Sequence, residues 1–168
     1  QMCIRDSLTA MGIPVACEVD IYGAVSEYIG MCVSGDAVTL LDINNTVPND
    51  IYRENIEGKF DYTQKDTFMG FHCGNTPACK LTSCEMKYQL IMHRGLEPDK
   101  EPDITRGTLE GDIIPGEITF FRLQSTSDCK VRAYVAEGEV LPVATRSFGG
   151  IGIFAIDEMA RFYRHVLI

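Results

Sequence analysis

Apolar residues fall into two styles along this chain: short unbroken runs in the first half, and looser alternating stretches after residue 107. Ile13 to Cys17 is the first unbroken run, and it predicts a strand buried on both faces. Asp20 follows as a candidate helix cap. Ile21, Val25, Tyr28, Ile29 and Cys32 then recur at three- and four-residue spacing, which predicts an amphipathic helix ended by Ser34 and Gly35. Ala37 to Leu41 is a second unbroken run, bounded by Asp42, Asn44 and Asn45. Strand, helix and strand in this order predict a βαβ unit, the end of a Rossmann-like parallel α/β domain.

Residues 49–67 are polar and predict an irregular connection. Phe68 to Cys73 predicts a third strand, which runs into the turn-rich GNTPAC. Lys80 to Gly95 reads equally as helix or strand, and EPDKEPD, residues 97–103, reads as a charged, proline-rich linker. From Gly107 onward, GTLEGDI, GEITFFRLQS and CKVRAYVAEGEVL show partial period-two alternation between Gly, Pro, Ser and Asp turns. Glu137 and Gly138 read as a turn. FGGIGIFAI predicts one more strand, and Asp157 a cap for a final helix whose Met159, Phe162, Tyr163 and Val166 face the core. The expected class is α/β plus β: residues 8–67 finish one α/β domain, and residues 68–168 form a truncated, mainly antiparallel, barrel-like β domain. QMCIRDS, residues 1–7, has neither capping nor patterning logic and is expected to be a non-native, adapter-like stretch. The last residues show no helix stop, so the chain is expected to be a fragment.

Composition narrows the function classes. Across 168 residues the formal net charge is −9, and no basic stretch offsets it. That argues against nucleic acid and anionic membrane surfaces as partners. No run reaches the length of a membrane span. The seven cysteines form no paired framework, and free thiols in a reducing cytoplasm fit them better than disulfides. Cys73, Cys79 and Cys84 lie closest together, but structural zinc sites favour tighter pairs.

The candidate chemistry is a pair of acids. Glu18 follows the first expected strand and Asp42 the second, so both lie at the carboxyl edge of a parallel sheet, where ligands bind. Neighbouring strand ends are about 5 Å apart. Two bare carboxylates that close repel, and a hard divalent cation relieves the conflict while favouring oxygen donors. Acids at strand ends also cap helices or stand in water, and the residues alone leave those readings open. His72 likewise reads as a site residue at a strand end or as a satisfied structural histidine. Asn44, Asn45 and Asn75 are candidates for amide contacts to a ligand and equally for turns.

CEVDIYGAV, LLDINNT, GFHCGNTPAC and the stretch from RGTLEGDIIPGEITFFRLQS through VRAYVAEGEVL resemble the L-fucose and L-arabinose isomerase superfamily, most closely its fucose isomerase-like branch. The 24-residue interval from Glu18 to Asp42 is similar to that between the two acidic metal ligands of L-fucose isomerases. The resemblance implies an aldose–ketose isomerase with Mn²⁺ or another divalent cation. In it Glu18 and Asp42 are both metal ligands and the groups that move a proton between C1 and C2 through an ene-diolate. It also implies sugar contacts from His72 (or, as in the arabinose branch, a metal contact), Asn75 and Arg106, with Thr105 beside the last, and assembly into a homo-oligomer. The family's third ligand is a histidine near the C-terminus. His165 precedes the expected position, so that ligand is expected beyond residue 168, with His93 and His165 left as surface or packing residues. As a piece, the chain is expected to be inactive alone. The alternatives are a non-catalytic sugar-binding relative and an oligomer-contact domain. Which aldose is used is not legible.

Overall fold

A computed structural model describes residues 2–17, 19–44, 46–72, 76–88, 107–145 and 149–157. Its helices are α1 (Met2–Ala10), α2 (Ile21–Ser34) and α3 (Asn49–Asn55). Its strands are β1 (Asp42–Asn44), β2 (Thr67–His72), β3 (Glu85–Tyr88), β4 (Gly107–Asp112), β5 (Gly116–Ser125), β6 (Val131–Leu141) and β7 (Gly150–Ile156). Among the described residues no helix is long and apolar enough to cross a membrane.

The seven strands make one open, mixed sheet that forks at β7. One edge of β7 pairs along most of its length with β2, antiparallel, from Thr67↔Ala155 to His72↔Gly150. Two strands share the other edge. β4 takes the first part in parallel, at Gly150 and Ile151, and β6 takes Ile153 to Ile156 antiparallel. β4 carries β3 beyond it, and β6 carries β5 in a ten-pair hairpin ladder. β1 closes the far side against β2. Serving three neighbours explains why every residue of β7 is buried. GIGIFAI meets that demand with β-branched, aromatic and small residues and no charge.

Each face of β2 and β7 has its own core. On one, Phe68 stacks on Phe154 (centroids 5.2 Å apart, planes 10° apart) and meets Phe120 edge-on at 5.4 Å. Leu81, Ile113, Val140 and Ile156 complete that cluster. On the other, Val47 and Ile56, which flank α3, join Leu141, Ile153 and Ala155. α3 lies within the stretch whose polarity predicts an irregular connection. At seven residues it is too short to show a period, and its formation tracks the burial of Ile51 and Tyr52 against this second cluster.

The β-rich part forms as expected, with antiparallel pairing everywhere except β4 to β7, although the sheet stays open and no barrel closes among the described residues. The two runs expected as parallel strands, Ile13 to Cys17 and Ala37 to Leu41, enter no ladder. The Val15 N–H goes to the Glu27 carboxylate instead of to a strand. The second run delivers Leu41 to the core beside Phe68, and pairing begins only at Asp42, antiparallel to β2. Glu137 and Gly138 form no turn. They lie inside β6, and a Cβ at Gly138 would stand 2.3 Å from the Ala155 carbonyl oxygen, so only glycine lets β6 approach β7 there. Residues 2–7, from the stretch expected to be non-native and adapter-like, fall within α1. The expected linker at 97–103 and the final helix after Asp157 lie outside the described residues.

Phe154 stands where β2, β6 and the aromatic stack meet. Phe154→Ala is expected to destabilise the fold by about 3–5 kcal/mol, read as a lower urea midpoint at unchanged slope.

Candidate functional site

The site is built around the entry to α2. Asp20 is its N-cap: the carboxylate accepts from the Gly23 N–H at 2.8 Å. A Cβ at Gly23 would stand 2.3 Å from Asp20 Oδ2, so this first-turn position needs glycine for the cap to close. At the other end Gly35, at φ 69°, donates to the Met31 carbonyl and stops the helix where the sequence predicts.

The helix forms as predicted, but it turns the other way. Gly23, Ser26, Glu27, Gly30 and Met31 face inward, whereas Ile21, Val25, Tyr28, Ile29 and Val33 are exposed. The cause is the surface it covers. α2 packs on β5, whose outer edge has backbone groups to satisfy, and the Leu123 N–H donates to Ser26 Oγ at 3.0 Å. At Gly30 the backbone closes on Phe121 and Val38 with no room for a side chain. A small and polar helix face fits this edge better than the apolar stripe.

An ion pair of Asp20 with Arg122 also links the start of α2 to the sheet. Arg122, in the middle of β5, places Nη1 and Nη2 at 2.8 Å from the two Asp20 oxygens. Both side chains are about one-third exposed. Burial works to raise the Asp20 carboxyl, but hydrogen bonds from Arg122 and the Gly23 amide, with the guanidinium charge, outweigh it and hold the carboxyl low. Just before the cap, the Asp20 N–H donates to the Cys17 carbonyl at 3.0 Å. Val19, next to the cap, has φ 61° and is 89% exposed. A β-branched residue in the left-handed region costs about 1–3 kcal/mol.

Of the residues singled out in the sequence, Glu18, Asn45, Asn75, Thr105 and Arg106 lie outside the described residues, as do His93 and His165. Asp42 opens β1, exposed, opposite Phe71, and Asn44 is exposed two residues on. His72 ends β2 and is 5% exposed. Strand alternation puts Asp42 and Phe71 on one face and His72 on the other, so the described geometry does not unite Asp42 with His72. The register also sets Asp42, Phe71, Ile151 and Asp112 in one row across β1, β2, β7 and β4. Three strand spacings separate the two aspartates, about 14 Å, too far to share a cation. Asp112 has its own partners, the Thr145 N–H and hydroxyl at 3.1 Å each. It lines an open cleft of about 290 Å³ with Ser83, Cys84, Glu85, Lys87 and Glu110, away from the residues singled out in the sequence. Among the described residues no three His, Cys, Asp or Glu side chains form a metal-binding group. Cys79 and Cys84 are exposed and form no disulfide.

A family model described as the C-terminal domain of L-fucose isomerase matches residues 70–168. The chain belongs to the L-fucose isomerase family. No curated protein and no solved structure matches the chain. The family match spans β2 from Gly70 onward and all of β3 to β7, so Arg122 and His72 lie within it while Asp20 and Asp42 precede it.

Sequence reasoning missed two members of this L-fucose isomerase-family chain's site: Arg122 and Glu27. Arg122 was signalled only as a lone charge in GEITFFRLQS, and Glu27 only as the acid in an otherwise apolar and small helix. Glu27 is 3% exposed, and burial pushes its carboxyl from an ordinary 4.5 up to about 7, despite the hydrogen bond it accepts from Val15. Between those values the folded chain holds a proton that the unfolded chain has released. Stability therefore falls as pH rises from 4.5 through about 7 and levels off above. Glu27→Gln is expected to flatten that slope. Relative to the wild type it should gain roughly 3 kcal/mol between pH 4 and pH 8, measured by urea denaturation across that range.

Proposed function

We propose that this chain is part of a cytoplasmic, metal-dependent aldose–ketose isomerase in which Glu18 and Asp42 hold a divalent cation, Mn²⁺ by preference, and move the proton between C1 and C2. The family match over residues 70–168 carries the isomerase part of this reading. The exposed Asp42 carboxylate at the start of an edge strand supports it. A pair of carboxylates is an all-oxygen donor set, which suits a hard divalent ion.

When bound, such an ion supplies Lewis acidity to the two adjacent sugar oxygens. Glu18 takes the proton from C2 of the open-chain aldose and returns it at C1, leaving an ene-diolate between the two transfers. Asp42 assists at the hydroxyl. A carboxylate suits this task because one group serves as base and then as acid without moving. Asn75 and Arg106 are assigned to sugar hydroxyls, and His72, buried on the face away from Asp42, is read as a structural histidine. Residues 8–67 are assigned to the end of a preceding α/β domain, and the outward apolar stripe of α2 supports that assignment. The active form is taken to be a homo-oligomer.

In the full-length protein, aldose-to-ketose conversion is expected to vanish with EDTA and return with Mn²⁺. Glu18→Gln and Asp42→Asn should each lower kcat at least about 100-fold, measured by ketose formation. Turnover that survives both substitutions refutes the assignment. Sugar binding without turnover in the wild type points instead to a non-catalytic relative.

A further inference from the structure

We propose that the cleft beside β3 and β4 is a binding site for a small neutral polyol of monosaccharide size, held by Asp112, Glu110, Glu85 and Lys87. The inference goes beyond the isomerase reading and does not rest on it.

Three observations carry it. The first is a fixed acceptor. Thr145 donates to Asp112 from its N–H and its hydroxyl at 3.1 Å each, and both bonds fall on Oδ1. The carboxylate is held in place while Oδ2 is left to the cleft. The second is a lysine poised between two acids. Glu85 and Glu110 stand directly opposite each other across the β3–β4 ladder, where like charges destabilise a sheet. Lys87 offsets that repulsion from a distance, with Nζ 3.6 Å from Glu85 and 3.5 Å from Glu110. Both separations exceed the limit of about 3.2 Å for a direct N–H···O bond, so its charge is shared while its donors remain for a third group. The third is a rigid wall. A Cβ at Gly111 would stand 2.0 Å from the Ser83 carbonyl oxygen, so only glycine admits this close approach. The Thr82 N–H donates to the Asp112 carbonyl and the Ile114 N–H to the Lys80 carbonyl, both at 2.9 Å, which pins residues 80–84 to the end of β4.

The chemistry of the lining selects the ligand. Carboxylates accept, an ammonium donates, and a hydroxyl does both. Neighbouring hydroxyls on one carbon chain therefore donate to Asp112 and Glu110 while accepting from Lys87. Other classes fit less well. Three acids against one lysine repel an anion. An external amine competes with Lys87 for the same two glutamates. A metal ion lacks its ligands, since no three His, Cys, Asp or Glu side chains come together among the described residues. An apolar ligand meets little beside Ile151. The volume, about 290 Å³, is at the small end for ligand sites, which suits a single short chain of hydroxylated carbons.

The test titrates ribitol calorimetrically into the full-length protein in EDTA. The chelator strips the cation that the isomerase reading requires, so binding that depends on it does not enter. Saturable heat is expected, and saturation separates a site from the general stabilisation that excluded polyols give. Asp112→Asn keeps the oxygen that Thr145 holds and replaces the other with an amide. Lys87→Met keeps the stem and removes the donor. Each is expected to weaken ribitol binding about tenfold or more, with circular dichroism confirming the fold. If Lys87→Met fails to fold, Asp112→Asn decides the matter. Wild-type affinity in either folded variant overturns the proposal, as does the absence of saturable heat from ribitol. Saturable binding of putrescine with none of ribitol also overturns it, and makes the cleft a site for amines. Turnover plays no part in these measurements, so failure of the isomerase reading and failure of this one are told apart.

Discussion

Everything in this fold leans on the shared edge of β7. A strand has two edges, and one is taken by β2. The remaining edge must satisfy β4 and β6 together, which it does by dividing its length between them. That division forks the sheet and fixes where the arms go. The β6–β5 arm carries Arg122 out to α2, and the β4–β3 arm carries Asp112 and Glu110 to the cleft. β7 offers no side chain to chemistry, yet it determines which parts of the chain can meet.

α2 shows how a partner's needs override a helix's own pattern. Its apolar stripe would favour an oily surface, but β5 presents an edge N–H, an arginine and a close-set phenylalanine. Ser26 and Asp20 answer the first two, and Gly30 gives way to the third. Each buried polar group that finds its partner avoids a desolvation cost of about 1–3 kcal/mol, comparable to what burying one more aliphatic side chain would return. With several such groups at stake, the polar side goes inward.

These same features mark the boundary of what the sequence could disclose. β5 and β6 were legible almost to the residue, because alternation and flanking turns are local signals. The start and stop of α2 were legible too, since Asp20 and Gly35 act within one turn. Its facing was not: periodicity shows that a helix has two sides and says nothing of which one meets the sheet. Gly138 misled for a related reason. A glycine beside acids looks like a turn, whereas here it admits a neighbouring backbone. Asp42 was found because it ends an apolar run. The Asp20–Arg122 pair, with 102 residues between its members, leaves no local trace at all.

The position of β7 in the chain also bears on how the molecule is made. It follows every other described strand in sequence and is the partner of three of them. While the protein emerges from the ribosome, β5 and β6 can close their hairpin on contact, but β2 must wait more than seventy residues for its mate. Until then its unpaired edge and Phe68 stand open to other nascent chains, so pauses in translation before residue 150 are the interval in which a chaperone has most to shield.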